Sequence, residues 1–271
     1  MTLGELQTAL AGSSYLVNGK PNPTYWKTVG PTRIYGSVYG GGQDGHVRRD
    51  THVTVVAGEI GLAYNSDNQS LLKTDNLDDN QWLHRGNVYG AGSGISEYEF
   101  DFNNDGDKVD KEVTIPGTTG SYNEKGYSTS AGSVTRFTQV DIYGGTIHRN
   151  VYGGGSLASI GPLKTTQKYD PYKPGQANIE GEGIPANGQG QQSLCTVNIA
   201  GQVGTPEDYR VVYGGEVYGA SRGKSDLDAT QFATTFWTLV KVLNGATIMG
   251  NVYGGGDNGM VKKDTDVRIG E

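Results

Sequence analysis

The stretch "TLVKVLNGATIMGNVYGGGDNGMVKKDTDVRIGE", residues 238–271, holds one full repeat and the start of the next. Thr238-x-Val240-x-Val242 returns as Thr265-x-Val267-x-Ile269, so that Val240 and Val267 stand 27 residues apart. Between them lie two more short apolar runs, around Ile248 and Val252, with a last one at Val261, all separated by Gly, Asn and Asp. Alternating runs of three to five residues with β-branched apolar positions read as strands, and the Gly/Asn/Asp clusters between them read as turns. Three short strands recurring at a fixed period have a ready physical reading. Each unit buries its apolar face by stacking on a copy of itself, with backbone pairing from coil to coil at about 4.8 Å.

The same template recurs through the chain. "GSVYGGG" begins at Gly36, "GNVYGAG" at Gly86, "RNVYGGG" at Arg149, "GEVYGAS" at Gly215 and "GNVYGGG" at Gly250. The alternating strand supplies Val53/Val55, Val140/Ile142, Val197/Ile199, Val240/Val242 and Val267/Ile269, and a following column supplies Ile60, Ile147, Val203 and Ile248. The expected fold is all-β: a right-handed parallel β-helix of about five rungs. A Val above a Val packs without a step in volume, whereas a Phe would prop neighbouring rungs apart. The chain has only 5 Phe, against 44 Gly, in 271 residues. The glycines are expected at corners that need positive φ. Asn87, Asn150 and Asn251 are expected to tolerate the same region and to stack as an amide ladder.

The tyrosines of the string, Tyr39, Tyr89, Tyr152, Tyr218 and Tyr253, are separated by 50, 63, 66 and 35 residues, all longer than the 27-residue period. The excess places insertions at 62–85, 95–133, 163–193 and 224–235, leaving the coil at its corners. Residues 34–271 form the repeat domain. Residues 1–33 precede it, and "GELQTALAG" offers Leu6 and Leu10 as a cap for the first rung. "DTDVRIGE" at the other end reproduces the start of a rung, so further rungs of the same polypeptide are expected beyond Glu271.

Several classes fall away on composition. A formal net charge of −7 supplies no basic stripe for nucleic acid. No apolar run approaches the 20 or so residues of a transmembrane helix. The first residues lack the basic region and apolar core of a signal peptide. The single cysteine, Cys195, excludes an internal disulfide framework and reads as a buried apolar thiol.

Two sets of side chains are candidates for a site. "DFNNDGDKVDKE", residues 101–112, fits the twelve-residue calcium loop. Asp101, Asn103 and Asp105 fall at positions 1, 3 and 5, Gly106 at the sharp turn, Asp107 at the carbonyl position and Glu112 at the bidentate position. Ca2+ is the cofactor this pattern takes. No flanking helices or paired loop accompany it, and the other reading is a solvated acidic hairpin tip. A lone site of this kind binds at about 10⁻⁴ to 10⁻³ M. The five repeat tyrosines form the second set. With each Val pointing inward, the adjacent Tyr points outward, giving either an aromatic strip for ligand stacking or a structural column under the insertions. Trp26, Trp82 and Trp237 would serve a carbohydrate-binding module if coplanar. His46, His52, His84 and His148 are scattered, and no nucleophile elbow, phosphate loop or paired-histidine motif is present.

The VYGGG rungs, over 34–61, 86–94, 134–161, 195–223 and 236–271, resemble the glycine-rich repeats of large surface proteins and adhesins of gut Bacteroidetes. The resemblance covers roughly half the chain. It implies export to the bacterial cell surface and a structural stalk or adhesive role, with a glycan or a host or bacterial surface ligand as partner. It carries over no catalytic residue. The alternative is a β-helical polysaccharide lyase or glycoside hydrolase, which needs carboxylates, or a base with a cation, gathered on one outer face.

Overall fold

The computed structural model describes residues 32–63, 85–94, 130–162, 193–207, 214–225 and 232–271. It also places the backbone of three short antiparallel pairs: Leu16–Val17 with Lys20–Pro21, Glu97–Glu99 with Lys125–Tyr127, and Pro185–Ala186 with Gly190–Gln191.

Three parallel sheets of five strands each run the length of the described coil. The long sheet stacks Thr51–Val55, Thr138–Ile142, Leu194–Ile199, Trp237–Val242 and Thr265–Ile269. The second stacks Arg33–Ile34, Glu59–Ile60, Thr146–Ile147, Gln202–Val203 and Thr247–Ile248. The third stacks the five Val-Tyr pairs, from Val38–Tyr39 to Val252–Tyr253. The chain visits second, third and long sheet in turn, so the five rungs span 33–55, 59–142, 146–199, 202–242 and 247–269. This is a parallel β-helix.

The register is the one the valines dictate. Val53, Val140, Val197, Val240 and Val267 are partners in one column, and Ile60, Ile147, Val203 and Ile248 in another. All but the exposed Val267 and the partly buried Ile248 join Val88, Val151 and Val217 in an apolar core between the three sheets, and Ile248 packs against it. A fourth side joins the third sheet to the long one. It consists of single bridges, Val47 to Val134 to Ile160, and of Thr234–Thr235 paired with Met260–Val261. Ala91, Val134, Ile160 and Cys195 make a second small core there, with Val47 against it.

Glycine serves two purposes. Gly58, Gly145 and Gly245 have positive φ at the turn between long and second sheets, as the corner argument requires. Gly40, Gly90, Gly153, Gly219 and Gly254 do not. They are glycine because the coil is pinched there: a Cβ on Gly153 would collide with the Gly219 carbonyl oxygen, and Gly40, Gly90 and Gly219 meet the rung ahead in the same way. The hydroxyls of Thr51, Thr138 and Thr238 reach these glycines from the long sheet and donate to the carbonyls of Gly90, Gly153 and Gly254.

The asparagines are also placed differently from the expectation. Asn87, Asn150 and Asn251 are not at positive φ; the non-glycine residues that are include Asp44, Leu157 and Asn258. The ladder runs from side chain to main chain instead of amide to amide. Asn150 N–H donates to Asn87 Oδ1 at 2.9 Å, Glu216 N–H to Asn150 Oδ1 at 3.1 Å, and Asn87 N–H to Ser37 Oγ at 3.1 Å. Each short side chain thus accepts a main-chain donor of the next rung, which an inward corner would otherwise leave bare.

Candidate functional site

The most ordered set of polar aromatic side chains in the described coil is the tyrosine column. Its rings stack face to face from rung 1 to rung 5, with centroids 4.7, 4.7, 5.0 and 4.9 Å apart and interplanar angles of 4°, 7°, 5° and 13°. The separation is the rung spacing itself, because the flanking valines hold each strand in register. The tyrosines lie on the opposite face of their strands from the core valines. Tyr89 and Tyr152 are nonetheless 0% and 1% exposed, while Tyr253 is 42% exposed. Tyr39 and Tyr218 are half-buried. The ring faces of the inner tyrosines are therefore occupied by other tyrosines of the column.

The bridging line Gln43, Ser93, Ser156, Arg222 and Asp257 runs beside the phenol hydroxyls. Tyr152 Oη donates to Asp257 Oδ2 at 3.3 Å and accepts from Asn150 Nδ2 at 3.2 Å. Tyr218 Oη donates to Glu216 Oε2 at 2.5 Å. Arg222 Nε pairs with Asp257 Oδ2 at 3.5 Å. Burial pushes the phenols of Tyr89 and Tyr152 well above their ordinary range, with neighbouring phenol and carboxylate charge adding to it. Tyr218 is raised by burial and by its bond to Glu216. All three are held as neutral phenols.

The second set lies on the outer face of the long sheet. Two columns are presented there: His52, Gln139, Thr196, Leu239 and Asp266, and Thr54, Asp141, Asn198, Lys241 and Arg268. Asp141 is 1% exposed and accepts from Asn198 Nδ2 at 2.6 Å and Gln139 Nε2 at 2.8 Å. Burial raises its carboxyl, against the lowering effect of those two bonds and of His52. The cations of the column are engaged by carboxylates: Lys241 with Glu271 at 2.8 Å, Arg268 with Asp266 at 2.6 Å and with Glu271 at 3.5 Å.

The calcium pattern Asp101, Asn103, Asp105, Asp107 and Glu112 lies outside the described residues, between the paired strands Glu97–Glu99 and Lys125–Tyr127. Among the described residues no group of three or more His, Cys, Asp or Glu could hold a metal ion. Cys195 is fully buried, occupies the column between Thr138 and Thr238, and has its thiol pushed up to about 11 by burial. Trp237 begins its strand and packs against Phe236 at 5.6 Å, whereas Trp26 and Trp82 are outside the described residues. His148 is buried at the corner between second and third sheets, and His52 stands on the outer face beside Phe137. Among the described residues no helix is long and apolar enough to cross a membrane. Comparison with protein-family models, curated proteins and solved structures returned no match.

Sequence reasoning missed Arg222 and Asp257 as partners of the tyrosines. They belong to rungs 4 and 5 of a bridge column whose other members are Gln and Ser, so no repeated letter marks them.

Proposed function

We propose that the chain is a segment of an exported bacterial surface protein, in which the β-helix is a stalk that carries adhesive surfaces. The observation that supports this reading is the fate of the repeated string. Tyr stacks on Tyr, Asn accepts the next rung's N–H, and Gly admits the next rung's carbonyl. The residues that recur most are spent on holding rung to rung, which is what a rod needs. The insertions leave from rungs 2, 3 and 4, each of which has a described rung on either side of it. The Bacteroidetes surface location follows from the resemblance of the VYGGG rungs, and a glycan is the partner class that fits it.

A glycan array probed with the chain, with and without millimolar calcium, tests the reading. Selective retention of a glycan class supports it; no retention of any glycan or of bacterial or host cells counts against it. The Asp101–Glu112 loop enters as a calcium site that steadies its hairpin. Millimolar calcium should raise the melting temperature by mass action, and the double variant Asp101→Ala, Glu112→Gln should abolish that rise. An unchanged melting curve would remove calcium from the account.

The second reading, a polysaccharide lyase or hydrolase, has one observation in its favour. Asp141 is a buried carboxylate with a raised pKa on the outer face of the long sheet, the environment in which a carboxyl serves as general acid. Release of reducing ends or unsaturated uronate from acidic polysaccharides, lost in Asp141→Asn, would establish it in place of the stalk.

A further inference from the structure

We propose that the outer face of the long sheet, across rungs 2, 3 and 4, binds an uncharged glycan chain, with Leu194 and Trp237 as an apolar strip and Gln139, Thr196 and Asn198 as the groups that meet its hydroxyls. The proposal rests on the adhesive reading above and names the surface that serves it. Strands of the long sheet have five or six residues, against two in the other two main sheets, so this face is the broadest of the three. Inside the coil and along the third sheet, one residue repeats from rung to rung, Val on Val and Tyr on Tyr. On the outer side of rungs 2, 3 and 4 none does: Asp141 partners Asn198, Leu194 partners Trp237, and Thr196 partners Leu239. Rung stacking therefore does not dictate these residues. Leu194, Thr196, Asn198 and Trp237 are half-buried and keep part of their surface open.

The polar part of the face is fixed in orientation. Asp141 is 1% exposed and accepts from two amides, Gln139 Nε2 at 2.8 Å and Asn198 Nδ2 at 2.6 Å. A carboxylate accepts and does not donate, so each NH2 group is turned to Asp141 and each amide oxygen is turned away from it. Those two oxygens accept from sugar hydroxyls, and the Thr196 hydroxyl can donate or accept between them. Alongside, Leu194 and Trp237 are register partners, and Trp237 is braced by Phe236 at 5.6 Å. Phe137 ends the strip, its ring already engaged by Arg136 at 5.4 Å and by His52 at 5.9 Å. An apolar strip beside fixed acceptors matches a pyranose, which offers ring C–H groups on its faces and hydroxyls at its edge. Charge selects the class of glycan. The cations of these rungs are engaged, Arg136 with Asp50 at 3.4 Å and Lys241 with Glu271 at 2.8 Å. A uronate or sulfate would meet Asp141 without a counter-charge, on a chain whose net charge of −7 repels polyanions at long range.

The test uses the full chain and soluble hexamers of neutral β-glucan, mannan, xylan and N-acetylglucosamine, with galacturonan and hyaluronan hexamers as the acidic arm. Calorimetric titration should show binding to a neutral member and none to the acidic pair. Trp237→Ala should weaken that binding by at least about tenfold. Should circular dichroism show Trp237→Ala unfolded, Thr196→Arg covers the strip from a half-buried position with the same expectation. Asp141→Asn should weaken binding about threefold or more without lowering the melting temperature at neutral pH, because an Asn donates as well as accepts and no longer fixes both amides. A merely structural Asp141 would move the melting temperature and leave the affinity of the folded protein alone. Thr247→Ala, on the outer side of the second sheet, should bind as the parent does. Undiminished affinity in the folded variants overturns the proposal and leaves glycan adhesion standing on another surface. Binding to the acidic hexamers alone, or to no hexamer, overturns it too, and the wider array with whole cells then decides the adhesive reading separately.

Discussion

At the scale of single residues, the coil is set by what cannot be larger. Gly153 has an ordinary backbone conformation, so its identity is a matter of space alone: a Cβ would enter the Gly219 carbonyl oxygen and press on Val197 Cγ2. The obstacle is main chain of the next rung and cannot swing aside. Gly153→Ala should cost about 2 kcal/mol or more, the range of forced overpacking. Gly255→Ala, with nothing within 4 Å and no positive φ, should change stability by less than about 0.5 kcal/mol. Urea midpoints of the two variants give the comparison, and equal shifts would refute the close-approach account. Asp141 gives a residue-scale dependence on pH. Its folded pKa is raised, so the native state holds a proton that the unfolded chain has already released. Stability must then fall as pH rises from the ordinary carboxylate range through the raised value. Asp141→Asn should flatten this slope, gaining on the parent towards neutral pH. Parallel pH profiles for the two proteins would show that Asp141 contributes no such linkage.

At the scale of elements, the insertions are joined to the rungs by paired glycines. Gly61 and Gly86 both have positive φ, and a Cβ on Gly61 would stand 2.7 Å from the Gly86 Cα. Gly204 and Gly215 repeat the arrangement, with 2.6 Å from a Cβ on Gly204 to the Gly215 Cα. In both cases the chain leaves the rung and returns next to its point of departure. Removing 205–214 joins Gly204 to Gly215 and leaves Val203 four residues from Val217, the spacing of Ile248 to Val252. That deletion should keep the β circular-dichroism spectrum and the denaturation midpoint, since shortening the connection lowers its closure entropy only slightly. Removing 205–215 instead shifts the register by one residue, turns Val217 out of the core and should unfold rung 4. Similar behaviour of the two deletions would show that the glycine pair does not close the rung. This insertion was not separable in sequence. The 66 residues from Tyr152 to Tyr218 contain two insertions, and a tyrosine spacing reports only their total. The strand columns were legible because identical β-branched residues recur at the same place in each rung. The Asn role was not, because tolerance of positive φ and acceptance of a neighbour's N–H both favour Asn. Nor were the partners of the tyrosines, since Arg222 and Asp257 each occur once and reach the column by a bridge between rungs.

At the scale of the whole molecule, the parallel β-helix is close to one-dimensional: each rung is stabilised by the rung below and the rung above. Within this chain, a substitution in rung 3 therefore weakens two rung-to-rung interfaces and one in rung 5 weakens one. Val197 in rung 3 is fully buried, and Val267 in rung 5 is 41% exposed, although both belong to one column and have the same side chain. Val197→Ala removes two buried methyl groups and leaves a cavity, which should cost about 2–3 kcal/mol. Val267→Ala should cost less than about 1 kcal/mol, because most of the lost surface was never fully removed from water. Hydrogen exchange resolves how the loss is distributed. In the parent, the amides of Thr138–Ile142 and Leu194–Ile199 lie between paired strands on both sides and should exchange slowest, with Thr265–Ile269 fastest among the long-sheet strands. Val197→Ala should lower protection in rungs 2, 3 and 4 together, whereas Val267→Ala should confine its effect to rungs 4 and 5. Equal loss across all five rungs in both variants would mean that the coil opens as a single cooperative unit, and the nearest-neighbour account of its stability would have to be abandoned.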